Sequence, residues 1–305
     1  MVDTILDGGD AFTVFDFSGN SIAPRTDPAY AIGRTVIGAL DLVDDPARWR
    51  VRVDGWDSST GSTMVITQRP AADVSDVSPS FRMAKDLVLL GSVQVRDPGD
   101  RDAALSRLKQ ALSFGATVIT RTEFGVSKST VVYCPGGVTV VRYPSPNLAT
   151  FTAQLKAPDS RKLGIAIPGK TRLPSSIGGL VVPFTVPFAI NSTVVSGQVN
   201  LFNPGDATGP VKLRIDGPCT GPRVTHVTSG TQLIFAANLV LTAGEWLEVD
   251  MDNKIVLANG QASRAGLVTQ RGWSGFDPGD NTWAFTAAAA DPAALLTVTA
   301  WPAWI

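Results

Sequence analysis

The chain has 305 residues, 44% of them hydrophobic and 17% charged, with 26 Lys and Arg against 27 Asp and Glu and a single histidine. That length is long for one core and comfortable for two domains. The formal net charge of -1 supplies no overall positive field to draw the chain onto nucleic acid or an anionic membrane.

Gly contributes 29 residues and Pro 21, which favours many turns and short strands over long helices. Acid comes almost wholly from aspartate, a turn and cap former; the glutamates are Glu123, Glu245 and Glu248. Cys134 and Cys219 fall in different predicted domains and read as reduced, partly buried thiols, since a disulfide framework needs several cysteines in a small chain. The start, Met1 to Asp10, has neither a basic nor an apolar region of a secretory signal. The longest mostly apolar run, Gly178 to Ile190, is interrupted by Pro183 and Pro187 and is too short to span a bilayer as a helix. The chain is expected to stay soluble.

In chain order, Ala11–Phe17 alternates before a turn at Ser18-Gly-Asn20, and Arg48–Asp54 alternates cleanly. Thr63–Thr67 and Asp86–Val95 are further strand candidates, and the polar, proline-flanked segment Arg69–Pro79 between them reads as a loop. One helix stands out over about 100–114. Asp97-Pro-Gly-Asp100 offers its cap, Ala104, Leu105, Leu108, Ala111 and Leu112 recur at helical spacing, and Gly115 is placed as the C-cap glycine. Its length, roughly 20 Å, suits plugging a barrel end or covering a sheet face.

Strand candidates Ala116–Thr120, Lys128–Tyr133, Gly137–Tyr143 and Phe151–Leu155 read as a small meander that closes a first domain of residues 1–165. The Gly-, Pro- and Ser-rich stretch across 166–178 reads as a linker, and 179–305 as a second domain. There Val211, Leu213 and Ile215 point one way and Lys212, Arg214 and Asp216 the other, the mark of a strand with one buried and one wet face. Turn clusters at Asn203-Pro-Gly-Asp206, Asp216-Gly-Pro218, Thr228-Ser-Gly230, Asn259-Gly260 and Asp277-Pro-Gly-Asp280 punctuate such strands, as in an antiparallel sandwich. The fold class is therefore mainly β with one helix (α+β).

No catalytic, cofactor or metal site is expected. His226 has no nucleophile elbow near it, and zinc would need more Cys and His ligands than the chain holds. Glu248, Asp250 and Asp252 alternate like a calcium site or a glycosidase pair, but lack the glycine and distant glutamate of an EF-hand loop and read as the wet face of a strand entering a turn. Arg48, Arg50 and Arg52 share one strand face opposite Trp49, Val51 and Val53; a protein interface, a solvated surface and a nucleic-acid stripe all remain open for them. Trp246, Trp273, Trp283, Trp301 and Trp304 lie in the second domain, where exposed rings could stack on sugars, although Trp283 reads as core. Walker, dinucleotide and nucleophile-elbow motifs are absent.

One helix between strands, Ala157-Pro-Asp-Ser-Arg-Lys162, and then the ordered series Asn203-Pro-Gly-Asp206, Ile215-Asp-Gly-Pro218, Leu241-Thr-Ala-Gly-Glu245, Phe276-Asp-Pro-Gly-Asp-Asn281 and a terminal Trp-Pro-Ala-Trp304 together resemble the distal tail protein family of long non-contractile-tailed bacteriophages, phage tail or minor tail proteins. The resemblance implies a split-barrel-like N-terminal domain and a galectin-like β-sandwich. It implies a homohexameric ring at the tail tip that joins the tail tube to the hub or baseplate and passes DNA through its lumen. Implied partners are the protein itself, the tail tube protein, the tail-tip hub with other minor tail proteins, and the tape measure protein. No cofactor, no enzymatic activity, no sequence-specific nucleic acid and no membrane insertion are implied, and the location would be the virion tail tip after synthesis in the host cytoplasm. Short turns in the second domain leave no room for the sugar-binding insertion of some members. Arg48, Arg50 and Arg52 would lie at a subunit or tube interface. The alternatives are a carbohydrate-binding β-sandwich adhesion protein and, behind it, a glycoside hydrolase using Glu245, Glu248 or Asp250.

Overall fold

In a computed structural model of the protein, the described residues are 34–177 and 193–305, less 44, 46, 70–72, 114, 144 and 196, together with the paired strands Thr4–Asp7 and Ala11–Val14. The turn expected at 18–20 and the apolar run 178–190 lie outside them. The chain divides into two compact units, Met1–Gly164 together with Ile305, and Ile165–Trp304. It is mainly β with one helix, and every described ladder is antiparallel.

In the first unit, Arg48–Asp54 alternates exposed and buried residues as its period-two pattern dictates, and Trp49, Val51 and Val53 enter the core. It forms one edge of a sheet ordered Val138–Arg142, Leu148–Ala157, Lys85–Gln94, Arg48–Asp54. Gly91 sits where Phe151 crosses the central strand; a Cβ there would overlap the Phe151 ring and the Arg50 carbonyl. Phe151 meets Trp49 edge-on at 5.7 Å, a favoured aromatic geometry. A second sheet runs in the order Lys162–Leu163, Val126–Val132, Thr117–Glu123, Arg34–Ile37, Leu40–Asp41. Ile37, Ile119 and Val132 from this sheet and Leu87, Leu89 and Phe151 from the first belong to one core.

The expected meander is therefore split: Thr117–Glu123 and Val126–Val132 pair in one sheet, Val138–Arg142 and Leu148–Ala157 in the other. The turn at Cys134–Gly137 carries the chain across, and Tyr133 still bridges Lys156. Local alternation does not distinguish these topologies, because both bury the same parity of residues.

The helix spans Pro98–Ala111. Asp97 accepts the Gly99 amide, and Pro98 stands where a missing N–H costs nothing. Ala104, Leu105 and Leu108 are buried in the core, each leucine contributing about 1.5–3 kcal/mol of transfer free energy. The helix ends earlier than the spacing predicts. Leu112 is its cap residue, so Gly115, although at φ 114°, lies beyond the C-cap position expected for it.

Between Arg48–Asp54 and Lys85–Gln94 the chain leaves the core as a ribbon. Ser62–Thr63 pairs Phe81–Arg82, and Ile66–Gln68 pairs Ser75–Val77. The segment 69–79, expected as a loop, thus supplies the strand Ser75–Val77, and a bidentate Arg69–Asp76 pair lies within it.

The second unit is a two-sheet sandwich. One sheet is ordered Ile167–Arg172, Leu295–Ala300, Val211–Asp216, Trp246–Asp250, Ile255–Ala258, Ala262–Ser263. The other is ordered Gln198–Asn203, Gly279–Ala290, Cys219–His226, Thr231–Phe235, Val268–Arg271. Leu213, Ile215, Leu247 and Val298 from the first meet Val224, Leu233, Trp283 and Phe285 from the second in a shared core. Within the stretch 166–178, expected as a linker, residues 167–173 are part of this sandwich. Ile167–Arg172 is a full edge strand on Leu295–Ala300, and Leu173 is buried beside it. Gly169 serves packing there rather than flexibility, since a Cβ would overlap Val199 and Leu201.

Candidate functional site

Each sequence-predicted group can now be placed. Arg48, Arg50 and Arg52 project from one face of an edge strand, in register with Gln94, Ser92 and Leu90 of the neighbouring strand. The next strand continues the rows with Leu148, Thr150 and Thr152. Arg52 donates to Asp54 at 2.6 Å, and that bond raises the pKa of the guanidinium. The stripe is a cationic border beside a face of hydroxyls and apolar side chains, with surface ion pairing of modest strength.

The acids of the second unit are turn fasteners. Asp250 accepts the Asn253 amide at 2.9 Å and its side chain at 3.0 Å and pairs with Lys212 at 3.4 Å. Burial works to raise this carboxyl, but those partners outweigh it and hold it below its ordinary value. Glu245 accepts the amide and the hydroxyl of Thr242, both at 2.8 Å, and is held low by these bonds, the amide foremost. Glu248 accepts the Trp246 indole N–H at 3.1 Å. Asp252 lies in the turn after the strand rather than on its face. Among the described residues no group of three or more His, Cys, Asp or Glu is arranged to hold a metal ion.

His226 is 2% exposed and stacks on the buried Trp283 at 4.8 Å. Its Nε2 lies 3.1 Å from Asn281 Oδ1, whose amide nitrogen already donates to Asp277 and Gly279 carbonyls. An amide oxygen can only accept, so Nε2 carries the proton, and in the neutral ring Nδ1 accepts from Ser229 Oγ at 2.7 Å. Burial lowers the pKa of the ring, which favours the neutral form. Ser229 is three residues away in the same turn and also bonds Thr231 Oγ1 at 2.8 Å. The arrangement positions a turn.

Two features escaped the sequence reading. The first is a meeting of the motif turns. Asn203 donates to the Ala207 carbonyl at 3.1 Å and the Phe276 carbonyl at 2.7 Å while accepting the Gly205 amide at 2.8 Å. Thr208 reaches Asp277 at 2.8 Å, and Gly209 and Phe276 exchange backbone bonds at 2.9 Å. The segments 203–209 and 276–281 therefore form one end of the sandwich, pinned by buried carboxamides.

The second is a buried lysine pair. Lys85 and Lys162 are each 4% exposed, and both donate to the Trp56 carbonyl, at 2.7 and 3.1 Å. Lys162 also reaches Asp57 at 3.2 Å and lies over the Trp56 ring. A signal existed: Lys85 has the same parity as Leu87, Leu89 and Val93, the buried side of its strand.

The described residues contain no helix long and apolar enough to cross a membrane. Of the second-unit tryptophans, Trp283 is fully buried, and Trp246, Trp273, Trp301 and Trp304 are half-buried. Arg214 lies 4.5 Å from the Trp246 ring centroid and covers the ring that would otherwise be offered for stacking.

Comparison with known proteins bears on most of the chain. Residues 205–300 match the family signature of the siphovirus-type tail component, C-terminal domain, SPP1_Dit. No curated protein sequence matches. Among solved structures, the crystal structure of Dit (gp 19.1) of phage SPP1, described as a paradigm of the hub adsorption apparatus of phages infecting Gram-positive hosts, is similar over 89% of this chain and 99% of that one, with TM-score 0.59 and 12% identity. A chain of the phage P2 baseplate in its activated conformation with Ca aligns over 86% of this chain and 92% of its own, with TM-score 0.47 and 8% identity. In sequence over residues 205–300, and in fold over 89% of its length, the chain is similar to the siphovirus distal tail protein family.

Proposed function

We propose that the protein is a structural component of the distal end of a siphovirus tail. The observation that carries this reading is the signature match at 205–300, the region whose turn motifs the structure gathers at one end of a sandwich. The shared fold with phage SPP1 Dit supports extending it to the first unit. In this reading the first unit is a split-barrel-like, ring-forming domain, and the second is a galectin-like module that projects outward. Six copies close a ring that joins the tail tube to the tail-tip hub or baseplate, contacts the other minor tail proteins and the tape measure protein, and leaves a lumen for DNA. The protein is made in the host cytoplasm, resides in the virion, and does no chemistry. Engagement of Asp250, Glu245 and His226 in turns supports a non-enzymatic role.

Arg48, Arg50 and Arg52 are proposed as part of a subunit or tube contact, motivated by their placement on an edge strand. Electron microscopy of the purified protein, with antibody labelling of virions, tests the main reading: rings and tail-tip label are expected, and label elsewhere on the particle overturns it. Charge reversal of the three arginines is expected to block particle assembly; full infectivity of that variant removes them from the interface.

A further inference from the structure

Among the described residues of the first unit, the buried charged side chains are Lys85 and Lys162, each 4% exposed. Lys85 opens the strand Lys85–Gln94, and Lys162 opens Lys162–Leu163 at the end of the motif Ala157–Lys162. Both ammonium groups donate to the Trp56 carbonyl, at 2.7 and 3.1 Å, so two positive charges sit side by side on one oxygen. Lys162 also has the Asp57 carboxylate at 3.2 Å and the face of the Trp56 ring, 5.8 Å from its centroid. An ammonium carries three N–H donors. For Lys85 the Trp56 carbonyl is the one acceptor among the described residues, which leaves two of its N–H groups without a partner there.

Charge is no better balanced than hydrogen bonding. Asp57 is the carboxylate within reach, and its side chain is 73% exposed. The other acids on these segments are engaged elsewhere: Asp86 pairs with Lys156 at 3.4 Å, and Asp159 pairs with Arg161 at 2.8 Å. Two lysines against one carboxylate leave one positive charge uncompensated in the cluster. A buried charge in that position is costly unless an ion of opposite sign joins it. Buried donors left over in a folded core call for a water or an ion.

We infer that the Lys85–Lys162 cluster is a binding site for one small monovalent inorganic anion of the halide class, chloride in ordinary media, seated against both ammonium groups. A single-atom anion accepts from several N–H groups at once and needs no directed lone pairs, so it serves both nitrogens. Its one charge matches the one left over. Phosphate and sulfate fit less well, because they bring more oxygens than the cluster has free donors and bury a second negative charge. A surface depression of about 300 Å³, lined by Arg82, Pro158, Asp159, Ser160 and Arg161, lies on the segments that lead into the two lysines. The anion fastens Trp56–Asp57, the start of Lys85–Gln94 and Lys162–Leu163 at one point. Without it, burial first and Lys162 second lower the pKa of Lys85; with it, Lys85 keeps its proton.

The test is a chloride titration of the full-length protein at neutral pH and constant ionic strength, with gluconate as the anion replaced and melting temperature as the readout. The wild type is expected to melt about 2–4 °C higher at the chloride end. Lys85→Met, which leaves Lys162 on the Trp56 carbonyl, is expected to lose that shift. Lys156→Met removes a lysine from an exposed ion pair and is expected to keep the shift, which separates the site from general salt effects. A wild type whose chloride response equals that of Lys85→Met overturns the site. Crystals of the wild type grown in bromide supply a second measurement that stands even where a variant fails to fold. An anomalous bromide peak in contact with both Nζ atoms is expected. Water at that position, or no density, overturns the inference. A bromide peak without a chloride response in melting marks an adventitious ion only, and overturns it as well.

Discussion

In the first unit the turn Gly55–Asp57 is held by two ammonium groups, Lys85 and Lys162, that share the Trp56 carbonyl. In the second, the turns 203–206 and 276–281 are held by the carboxamides of Asn203 and Asn281 and by a neutral imidazole. Both devices bury polar side chains, but their energetics differ. A carboxamide carries donors and acceptors in balance, and Asn281 satisfies two amide or ring N–H groups and two carbonyls at once. Two ammoniums on one carbonyl repel each other and are costly to desolvate. Burial, then the neighbouring Lys162, lowers the pKa of Lys85. The neutral clamp should therefore contribute more stability, and the charged clamp should respond to alkali.

The largest expected effect comes from breaking the neutral clamp. Asn281→Ala strips partners from the Asp277 amide, the Asp277 and Gly279 carbonyls and His226 in a fully buried site. A loss of about 3–5 kcal/mol is expected in urea unfolding of the second unit. A loss below about 1 kcal/mol would mean that water or a shifted turn replaces these bonds. Gly169→Ala should cost about 1–3 kcal/mol, since the new methyl overlaps Val199 and Leu201; a neutral result would show that the edge strand Ile167–Arg172 yields.

The comparison sharpens with pH. His226 has a folded pKa below its ordinary value. Below about pH 6.5 the unfolded chain takes up a proton that the folded ring resists, so stability falls as pH drops toward the folded pKa, by at most about 1.4 kcal/mol per pH unit. His226→Gln should flatten that part of the profile, and an unaltered acid slope would assign it to other groups.

Lys85 gives the smallest effect, in the opposite pH range. Its folded pKa is also depressed, so between that value and about 10.5 the unfolded chain binds more protons and stability rises with pH. Lys85→Met, close in volume, should change stability at pH 7 by no more than about 1.5 kcal/mol while Lys162 keeps the Trp56 carbonyl bonded. The variant should lose the alkaline rise relative to wild type. Equal pH dependence of the two would mean that Lys85 is charged throughout.

Much of the fold was legible along the chain. Arg48–Asp54 and Val211–Asp216 declare their buried faces by parity, and Asp97 with Pro98 marks the helix start. The linker reading of 166–178 rested on its Gly, Pro and Ser content, whereas the close approach of Val199 and Leu201 that Gly169 permits comes from a distant segment. The candidate surfaces were half legible. The arginine stripe was visible as an alternation, whereas the exposed apolar ribbon was hidden inside a segment read partly as strand and partly as loop.

The sequence by itself determined which side of each strand is wet, where the helix begins and where the turns fall, because side-chain alternation, capping and turn chemistry are set by residues within a few positions of one another. Only the tertiary structure decided which strands share a sheet, that Lys85 and Lys162 meet on one carbonyl, and that Asn203 and the turn 276–281 form one end of the sandwich. Those outcomes depend on contacts between segments far apart in the chain, whose choice rests on the summed packing of the whole core rather than on any local pattern. The turns that carried the family resemblance were readable one by one, and the fold is what brings two of them together.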